Sequence, residues 1–171
     1  MPAHSSHSVH LQLSAEAAWT RLSDLSRAPH YVPGLTASQF HPGPQRGLGA
    51  SRRVLRKGGQ WLDETVIDWR EDRSFVLRLH RGAAGAPFPF REASFSYALE
   101  PTDIGSRMSL RMDYRLRGGR LVEWLLAGAF DKVVWQIANN LKTYYETGET
   151  QNPDFRQAAA TATPAMASSK R

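Results

Sequence analysis

The chain has 171 residues, of which 41% are hydrophobic and five are Trp, which is enough for one domain with a single sizeable core. It contains no cysteine, which excludes disulfides, thiolate nucleophiles and cysteine-ligated zinc or iron–sulfur sites. The formal net charge of +6 would suit a nucleic acid or an acidic membrane as partner. The placement of the charges along the chain must decide whether either partner is expected.

The N-terminal segment is predicted to be flexible and to lead into a strand. Met1 to Ser8 have no apolar run behind a basic segment, so we expect no secretory signal and take the cytoplasm as the default location. We expect residues 1–7 to be flexible. Beyond them, Val9, Leu11 and Leu13 alternate with polar residues, which predicts a first, half-buried strand.

Two short helices are predicted to follow this strand. Ser14 can cap a helix from Ala15 to about Leu22, because its hydroxyl can accept from a free backbone N–H of the first turn. Ser26 can cap a second helix, which Pro33-Gly34 would end. Phe40 then lies in a weak second strand.

The first central hairpin is predicted from its turn, Gly58-Gly59. A two-residue turn there places Leu55 opposite Leu62 and Arg53 opposite Glu64, all on the inner face of the sheet. A charge on an apolar face is costly unless it is paired or used. Arg53 and Glu64 are therefore the sharpest candidates for an active role, and an ion pair that only holds the two strands in register is an equally good interpretation.

The next two hairpins are predicted to extend the same inner face. The turn at residues 70–73 sets apolar residues of one strand beside the previous strand: Phe75, Leu77 and Leu79 beside Asp68, Val66 and Glu64. Pairing Leu99 with Met108 brings further large side chains together: Tyr97 by Leu110, Phe95 by Met112 and Ala93 by Tyr114. Such a sheet has more apolar surface than one helix can cover, so we expect it to curl and to enclose a cavity.

The outer face of the same sheet decides what the positive charge means. The last register sets Arg107 opposite Glu100 and Arg115 opposite Glu92, which balances part of the charge across the strands. Further arginines are expected on this face, namely Arg52, Arg56, Arg78 and Arg111. The sequence has no helix-turn-helix, zinc-finger or aromatic RNA-binding motif, so we expect no nucleic-acid partner, and transient contact with a membrane surface stays open.

One long helix is the last ordered element that the sequence predicts. Apolar residues recur at three- and four-residue spacing and would face the sheet: Phe130, Val134, Ile137, Leu141, and Tyr144 or Tyr145. Gly148 follows as the residue that ends the helix. Charged residues interrupt the most apolar window, Leu121 to Ala138, so no transmembrane segment is predicted. Residues 149–171 have too little apolar surface to offset the entropy of ordering and are predicted to form a disordered tail.

Six segments carry a resemblance to a known superfamily: Ala18-Trp19 to Leu22, Asp24-Leu25, Tyr31 to Leu35, Gly49 to Arg53, Glu64 to Val66 with Trp69, and Leu141 to Glu146. Over residues 8–148 the chain resembles the SRPBCC or START-like superfamily, which includes polyketide cyclases and coenzyme Q-binding proteins. The resemblance implies the α+β helix-grip fold. In that fold a curved antiparallel sheet of six to seven strands wraps around one long C-terminal helix, and two short helices follow the first strand.

The resemblance also implies a hydrophobic tunnel between the sheet and the long helix. By analogy, Tyr31 and the Gly82 to Pro89 loop would border its mouth, and Arg53 with Tyr31 would orient a polyketide as in cyclase-like members. The Asp24 to Gly34 segment is similar to coenzyme Q-binding relatives, which implies a quinone or isoprenoid ligand instead. With the inner-face pattern, the candidate ligand-binding residues are Tyr31, Arg53, Glu64, Leu77, Leu79, Phe95, Tyr97, Leu110, Met112, Tyr114, Val134, Ile137 and Leu141.

Three functions follow from this reading. The first is binding of a lipid, quinone or polyketide-like molecule, and the second is a cyclase or dehydratase in which Arg53 polarises a carbonyl group and Glu64 or a tyrosine moves a proton. The third is a protein- or membrane-interaction module that uses the basic outer face. No cofactor and no metal site is predicted, because His30 and His41 fall in turns and His80 on the outer face. The oligomeric state is left open.

Overall fold

Seven antiparallel strands form one sheet in the computed structural model, which describes residues 2–162. The strands are β1 (Ala3–Leu11), β2 (Leu35–Phe40), β3 (Ser51–Arg56), β4 (Trp61–Arg70), β5 (Ser74–His80), β6 (Phe90–Thr102) and β7 (Gly105–Leu116). Their order in the sheet is β1-β7-β6-β5-β4-β3-β2, so the first strand pairs with the last. The predicted α+β helix-grip fold is confirmed.

The described residues also form three α-helices, α1 (Ala15–Leu22), α2 (Gly119–Thr147) and α3 (Pro153–Ala162), and a 3-10 helix (Leu25–His30) follows α1. Single 3-10 turns lie in two loops, at Lys57–Gly59 and Gly82–Ala84. Ser14 caps α1 as predicted, since its Oγ accepts from the Ala17 N–H at 3.1 Å. Asp24, and not Ser26, caps the 3-10 helix. Gly148 ends α2 with a positive φ of 78°. No helix within residues 2–162 combines the length and apolarity needed to cross a membrane.

The core lies between the inner face of the sheet and the second half of α2. The helix buries a stripe of residues at three- and four-residue spacing: Val134, Ile137, Ala138, Leu141, Tyr144 and Tyr145. Phe130, one turn earlier, packs against the ring of Tyr114 with the centroids 4.6 Å apart. The predicted stripe of the long helix therefore does face the sheet.

Strand β1 starts earlier than the sequence pattern indicates. Ala3, Ser5 and His7 pair with residues of β7, so most of the segment 1–7, which we expected to be flexible, is part of the sheet. The alternation of apolar and polar residues did not predict this part of the strand, because its side chains are mostly polar. Backbone hydrogen bonding to a long neighbouring strand orders an edge segment without large apolar side chains.

The β3–β4 hairpin differs from the prediction by one residue. Its loop spans residues 57–60, and the Arg56 N–H donates to the Gln60 carbonyl at 2.7 Å, so the glycine pair is part of a longer turn than the two-residue one assumed. Arg52 lies opposite Glu64, and Arg53 lies opposite Asp63. Because side chains alternate along a strand, this single step turns Arg52 inward and Arg53 outward. The predicted positions of both arginines are therefore wrong.

The remaining hairpins follow the predicted registers over most of their length. A bulge at Ile67 shifts the β4–β5 pairing near the turn, so Phe75 lies opposite Trp69 and not Asp68. Beyond the bulge, the pairs are as predicted: Leu77 with Val66 and Leu79 with Glu64. In the β6–β7 hairpin every predicted pair is present, from Leu99 with Met108 to Ala93 with Tyr114.

The segment after α2 is ordered through residue 162, which corrects the predicted disordered tail. Asn152 is fully buried, and its Nδ2 donates to the carbonyl oxygens of Pro29, Val32 and Leu35 at 2.8, 2.9 and 2.7 Å. Its Oδ1 accepts from the Asp154 N–H at the start of α3. The prediction considered only the apolar surface that this segment could bury. The segment is instead held to the domain by the hydrogen bonds of one buried amide side chain. Residues 163–171 of the predicted tail lie outside the described residues.

Candidate functional site

A cavity of about 120 Å³ lies between the inner face of the sheet and α2. Seven of the candidate residues from the sequence line it: Glu64, Leu77, Leu79, Phe95, Tyr97, Met112 and Ile137. Its exposed lining residues, Arg56 and Val133, mark the mouth. The wall is mainly apolar and carries one ion pair, which is the arrangement expected of a site for a small molecule with few polar atoms.

Other candidates lie elsewhere. Leu110, Tyr114, Val134 and Leu141 are buried in the core and do not line the cavity. Tyr31 is also buried and does not line it. Arg53 faces outward. Sequence reasoning missed eight lining residues: Val32, Pro33, Leu35, Arg52, Val54, Arg56, Leu62 and Val133.

Arg52 and Glu64 form the ion pair of the cavity wall. The Nε and Nη2 atoms of Arg52 both donate to Oε2 of Glu64, at 2.8 and 2.6 Å. The Arg52 side chain is 4% exposed and that of Glu64 is 14% exposed. The remaining terminal nitrogen of Arg52, Nη1, is buried and has no acceptor within residues 2–162. A buried donor without a partner is costly, so this atom is suited to an oxygen atom supplied by a ligand.

Arg53 belongs to a different cluster, on the outer face of the sheet. Its Nε and Nη2 donate to the two carboxylate oxygens of Asp63 at 2.9 and 3.1 Å, and its guanidinium lies 3.8 Å from the ring centroid of Trp61. Nε2 of His41 lies 3.0 Å from Asp63 Oδ1. The hydrogen bonds from Arg53 lower the pKa of Asp63 below its usual 3.8. Arg53 therefore pairs with Asp63 on the outer face, and the predicted pair of Arg53 with Glu64 does not form.

Two buried tyrosines, Tyr31 and Tyr97, lie close enough to Arg52 for its charge to act on them, and a third, Tyr145, packs on Tyr31. Burial raises the pKa of Tyr31 to about 12 and that of Tyr97 well above 10, and the charge of Arg52 acts on both groups in the opposite direction. Tyr145 packs edge-on to Tyr31 with the ring centroids 5.9 Å apart, and burial raises its pKa as well. These phenols therefore stay protonated at neutral pH and can donate hydrogen bonds.

The C-terminal segment holds the loop that forms one side of the cavity. Val32, Pro33 and Leu35 line the cavity, and Asn152 binds the carbonyl groups of Val32 and Leu35. His30, just before this loop, stacks on Tyr144 with the centroids 4.6 Å apart. The segment predicted to be a tail is therefore part of the support of the site.

A second and larger groove, of about 500 Å³, lies beside the loop at residues 82–89. It is open to solvent and is lined by charged and small residues, among them Arg78, Arg91 and Gly82. The resemblance implied that this loop borders the cavity mouth. In the structure it borders the larger groove instead. The smaller cavity is the candidate site, because it is less open to solvent than the groove and contains the buried ion pair. No three His, Asp or Glu side chains of the described part of the chain converge as metal ligands would.

The sequence matches a family model described as "Polyketide cyclase / dehydrase and lipid transport" over residues 2–146. The chain belongs to this family. The resemblance to the SRPBCC superfamily is thereby confirmed. Among curated proteins, a search found no significant match.

Solved structures with the same fold come from bacteria and plants. XoxI from Bacillus cereus has a TM-score of 0.67 at 15% identity, covering 84% of this chain and 95% of that one. The di-domain aromatase/cyclase StfQ of the steffimycin biosynthetic pathway has a TM-score of 0.64 at 11% identity, covering 84% of this chain and 50% of that one. Norcoclaurine synthase from Thalictrum flavum, bound to a transition-state analogue, has a TM-score of 0.64 at 15% identity, covering 85% and 94%. At these identities the likeness shows the fold alone.

Proposed function

We propose that the protein binds a hydrophobic or amphipathic small molecule in the cavity, with an oxygen atom of the ligand accepting a hydrogen bond from Arg52. The observation that carries this proposal is the buried Nη1 of Arg52, which has no acceptor within residues 2–162 although it sits on a residue of the cavity wall. A carbonyl, phenol or carboxylate oxygen would supply that acceptor. The apolar walls formed by residues such as Leu77, Phe95 and Ile137 would enclose the rest.

The volume of the cavity limits which part of the ligand it can hold. At about 120 Å³, it is close to the roughly 150 Å³ of a cavity that takes up benzene and well below the ~300–1,000 Å³ typical of sites for larger ligands. We therefore expect a single oxygen-bearing ring or a comparable group to occupy it. A longer chain would extend through the mouth between Arg56 and Val133.

A cyclase or dehydratase activity is the second candidate, and the family description names it beside lipid transport. In this role Arg52, in place of Arg53, would stabilise negative charge on a substrate carbonyl oxygen. The protein groups suited to proton transfer are fewer. Glu64 already accepts two hydrogen bonds from Arg52, and the raised pKa of Tyr97 keeps its phenol protonated at neutral pH, so that it can donate a hydrogen bond but cannot take up a proton. Binding is therefore the function that we place first.

The basic outer face supports an interaction module less well. Arg111 donates to both carboxylate oxygens of Asp113, and Arg115 lies 3.9 Å from Glu92. Arg52, which we had expected to contribute to this face, is buried inside. These pairs balance part of the positive charge with which the face would recruit an acidic partner.

Native mass spectrometry of freshly purified protein tests the proposal, and the fluorescent probe 1-anilinonaphthalene-8-sulfonate provides a titration. We expect a bound small molecule, or saturable binding of the probe, in the wild type. Ile137→Trp, which fills the cavity, should abolish both. Replacing the ion pair by Arg52→Met with Glu64→Leu should weaken binding by about tenfold or more, since a charge-assisted hydrogen bond is lost.

Arg53→Met is the matched control, because it removes the adjacent arginine from the opposite face of the same strand. It should leave the dissociation constant of the probe unchanged once the folded fraction is accounted for. The ligand would lie outside the cavity if Arg53→Met weakened probe binding as much as Arg52→Met with Glu64→Leu does. The same conclusion would follow if Ile137→Trp still bound the probe. Turnover of an aromatic polyketide substrate that is lost in the folded double variant Arg52→Met with Glu64→Leu, and kept in Arg53→Met, would establish the enzyme role instead.

A further inference from the structure

The first half of α2 presents an apolar face to the solvent. Leu121, Trp124 and Leu125 are 69%, 74% and 63% exposed, and Trp135 is exposed further along the helix. At 3.6 residues per turn, these four side chains lie on one side of α2, opposite the stripe that packs on the sheet. Large exposed apolar side chains that cluster on one face indicate an interaction surface.

An apolar ridge connects this face with the cavity. Leu121, Leu125, Ala129, Val133 and Ile137 follow one another at four-residue spacing, so that each side chain lies next to the following one. The first three are exposed, Val133 lies at the cavity mouth, and Ile137 lines the interior. The ridge runs for about 24 Å along the helix. It forms a continuous apolar path from the exposed face to the site.

The unpaired charge beside this face is positive. Arg120 and Lys132 are exposed, and neither has a carboxylate partner within residues 2–162. The acidic residues of the same part of α2 are directed toward strands of the sheet and away from this face. Asp131 lies 3.1 Å from Nε2 of His7, and Glu123 accepts from a backbone N–H at the end of β7. The face therefore combines tryptophan, leucine and free cations.

We propose that this face of α2 docks on an anionic lipid bilayer. Trp124 and Trp135 would sit at the level of the headgroups, and Arg120 and Lys132 would bind anionic headgroups. The ridge would then lead from the bilayer to the cavity mouth, so that a hydrophobic molecule enters without crossing water. A second copy of the chain fits the face less well, because a symmetric pair would bring the same cations together. The docking goes beyond the proposed function and does not depend on what the cavity binds.

Sedimentation with vesicles of phosphatidylcholine, with and without phosphatidylserine, tests the docking. The wild type should partition onto the vesicles that contain phosphatidylserine, and Trp124→Ser with Leu125→Ser should reduce the partition coefficient by about tenfold or more, because two apolar side chains no longer enter the interface. Arg120→Gln with Lys132→Gln should remove the preference for the anionic vesicles. Circular dichroism verifies that each variant is folded.

Ile67→Ser with Ile104→Ser is the matched control, since both isoleucines are exposed but lie on β4 and in the β6–β7 turn. It should bind vesicles like the wild type. Ile137→Trp should also bind normally, which separates a failure of docking from a failure of ligand binding in the cavity. The proposal would be overturned if the wild-type protein did not bind anionic vesicles. It would also be overturned if the wild type bound no vesicles but sedimented as a dimer, and Trp124→Ser with Leu125→Ser converted this dimer to a monomer.

Discussion

Arg52 and Glu64 lie directly opposite each other on β3 and β4, and two nitrogens of the guanidinium donate to a single carboxylate oxygen on the wall of an apolar cavity. This pair is almost completely removed from solvent, whereas the neighbouring pair of Arg53 with Asp63 leaves its arginine 37% exposed. The chain therefore carries two adjacent arginine–carboxylate pairs with different environments. One faces a ligand-sized space and the other faces solvent.

Removing only the cation from the cavity should be costly. Arg52→Met leaves Glu64 as a largely buried charge without a partner, which typically costs about 3–5 kcal/mol. Adding Glu64→Leu should restore much of this loss, because no charge then remains in the cavity. Urea denaturation of the two single variants and the double variant gives the coupling energy. Arg111→Met, at an exposed pair, is the control and should change the free energy of unfolding by less than about 1 kcal/mol. Additive effects at Arg52 and Glu64 would contradict the buried pair.

The buried tyrosines should make the fold sensitive to alkali. The folded pKa of Tyr31 is about 12, and those of Tyr97 and Tyr145 are also raised above 10, so the unfolded chain ionises first as the pH rises past 10. The stability is then complete below pH 10 and declines from there towards pH 12. Absorbance titration of tyrosinate should show these groups ionising late in the native protein and near pH 10 in denaturant. Coincident titration curves would show that the phenols are solvated.

Asn152 should contribute strongly to stability although it lies outside the predicted domain. Asn152→Ala leaves the carbonyl groups of Pro29, Val32 and Leu35 without their shared donor, at about 1–3 kcal/mol for an unsatisfied buried group. Gln157→Ala, on the exposed side of α3, should stay within about 0.5 kcal/mol and serves as the control. Thermal melts compare the two. An equal, small effect of both substitutions would mean that the segment does not hold the loop.

Protonation of His30, which lies next to the same loop, should lower the free energy of unfolding in mild acid. Burial lowers the folded pKa of His30 below its usual 6.5, and nearby Arg27 adds to this effect. Below pH 6.5 the unfolded chain binds the proton first, so the stability falls as the pH drops through this range towards the folded pKa. His30→Gln should flatten the dependence of the unfolding free energy on pH between neutral pH and the folded pKa, whatever its effect at neutral pH. An unchanged slope would assign the titration to other histidines.

Much of the fold follows from local patterns in the sequence. The β6–β7 register, the cap at Ser14 and the stripe of α2 with its end at Gly148 were all predicted and are present. Each depends on interactions between residues close in the chain or on a strict side-chain period, and such features are encoded by the residue types themselves.

The identity of the cavity arginine was decided by tertiary structure. Arg52 and Arg53 are adjacent and chemically identical, and Glu64 has the acidic neighbour Asp63, so either register pairs an arginine with a carboxylate. The loop at residues 57–60 sets the register of the hairpin and thereby which pair faces inward.

The fold class, the long helix and the presence of an apolar inner face could be predicted from the residues alone, because these features depend on periodicity and composition. The role of Asn152 in holding the loop on one side of the cavity, and the course of the ridge from Leu121 to Val133 at the cavity mouth, are visible only in the folded chain. A buried polar residue obtains its partners from carbonyl groups more than one hundred residues away in the chain. No local pattern records such partners, since the free energy of a buried amide depends on groups that only folding brings to it.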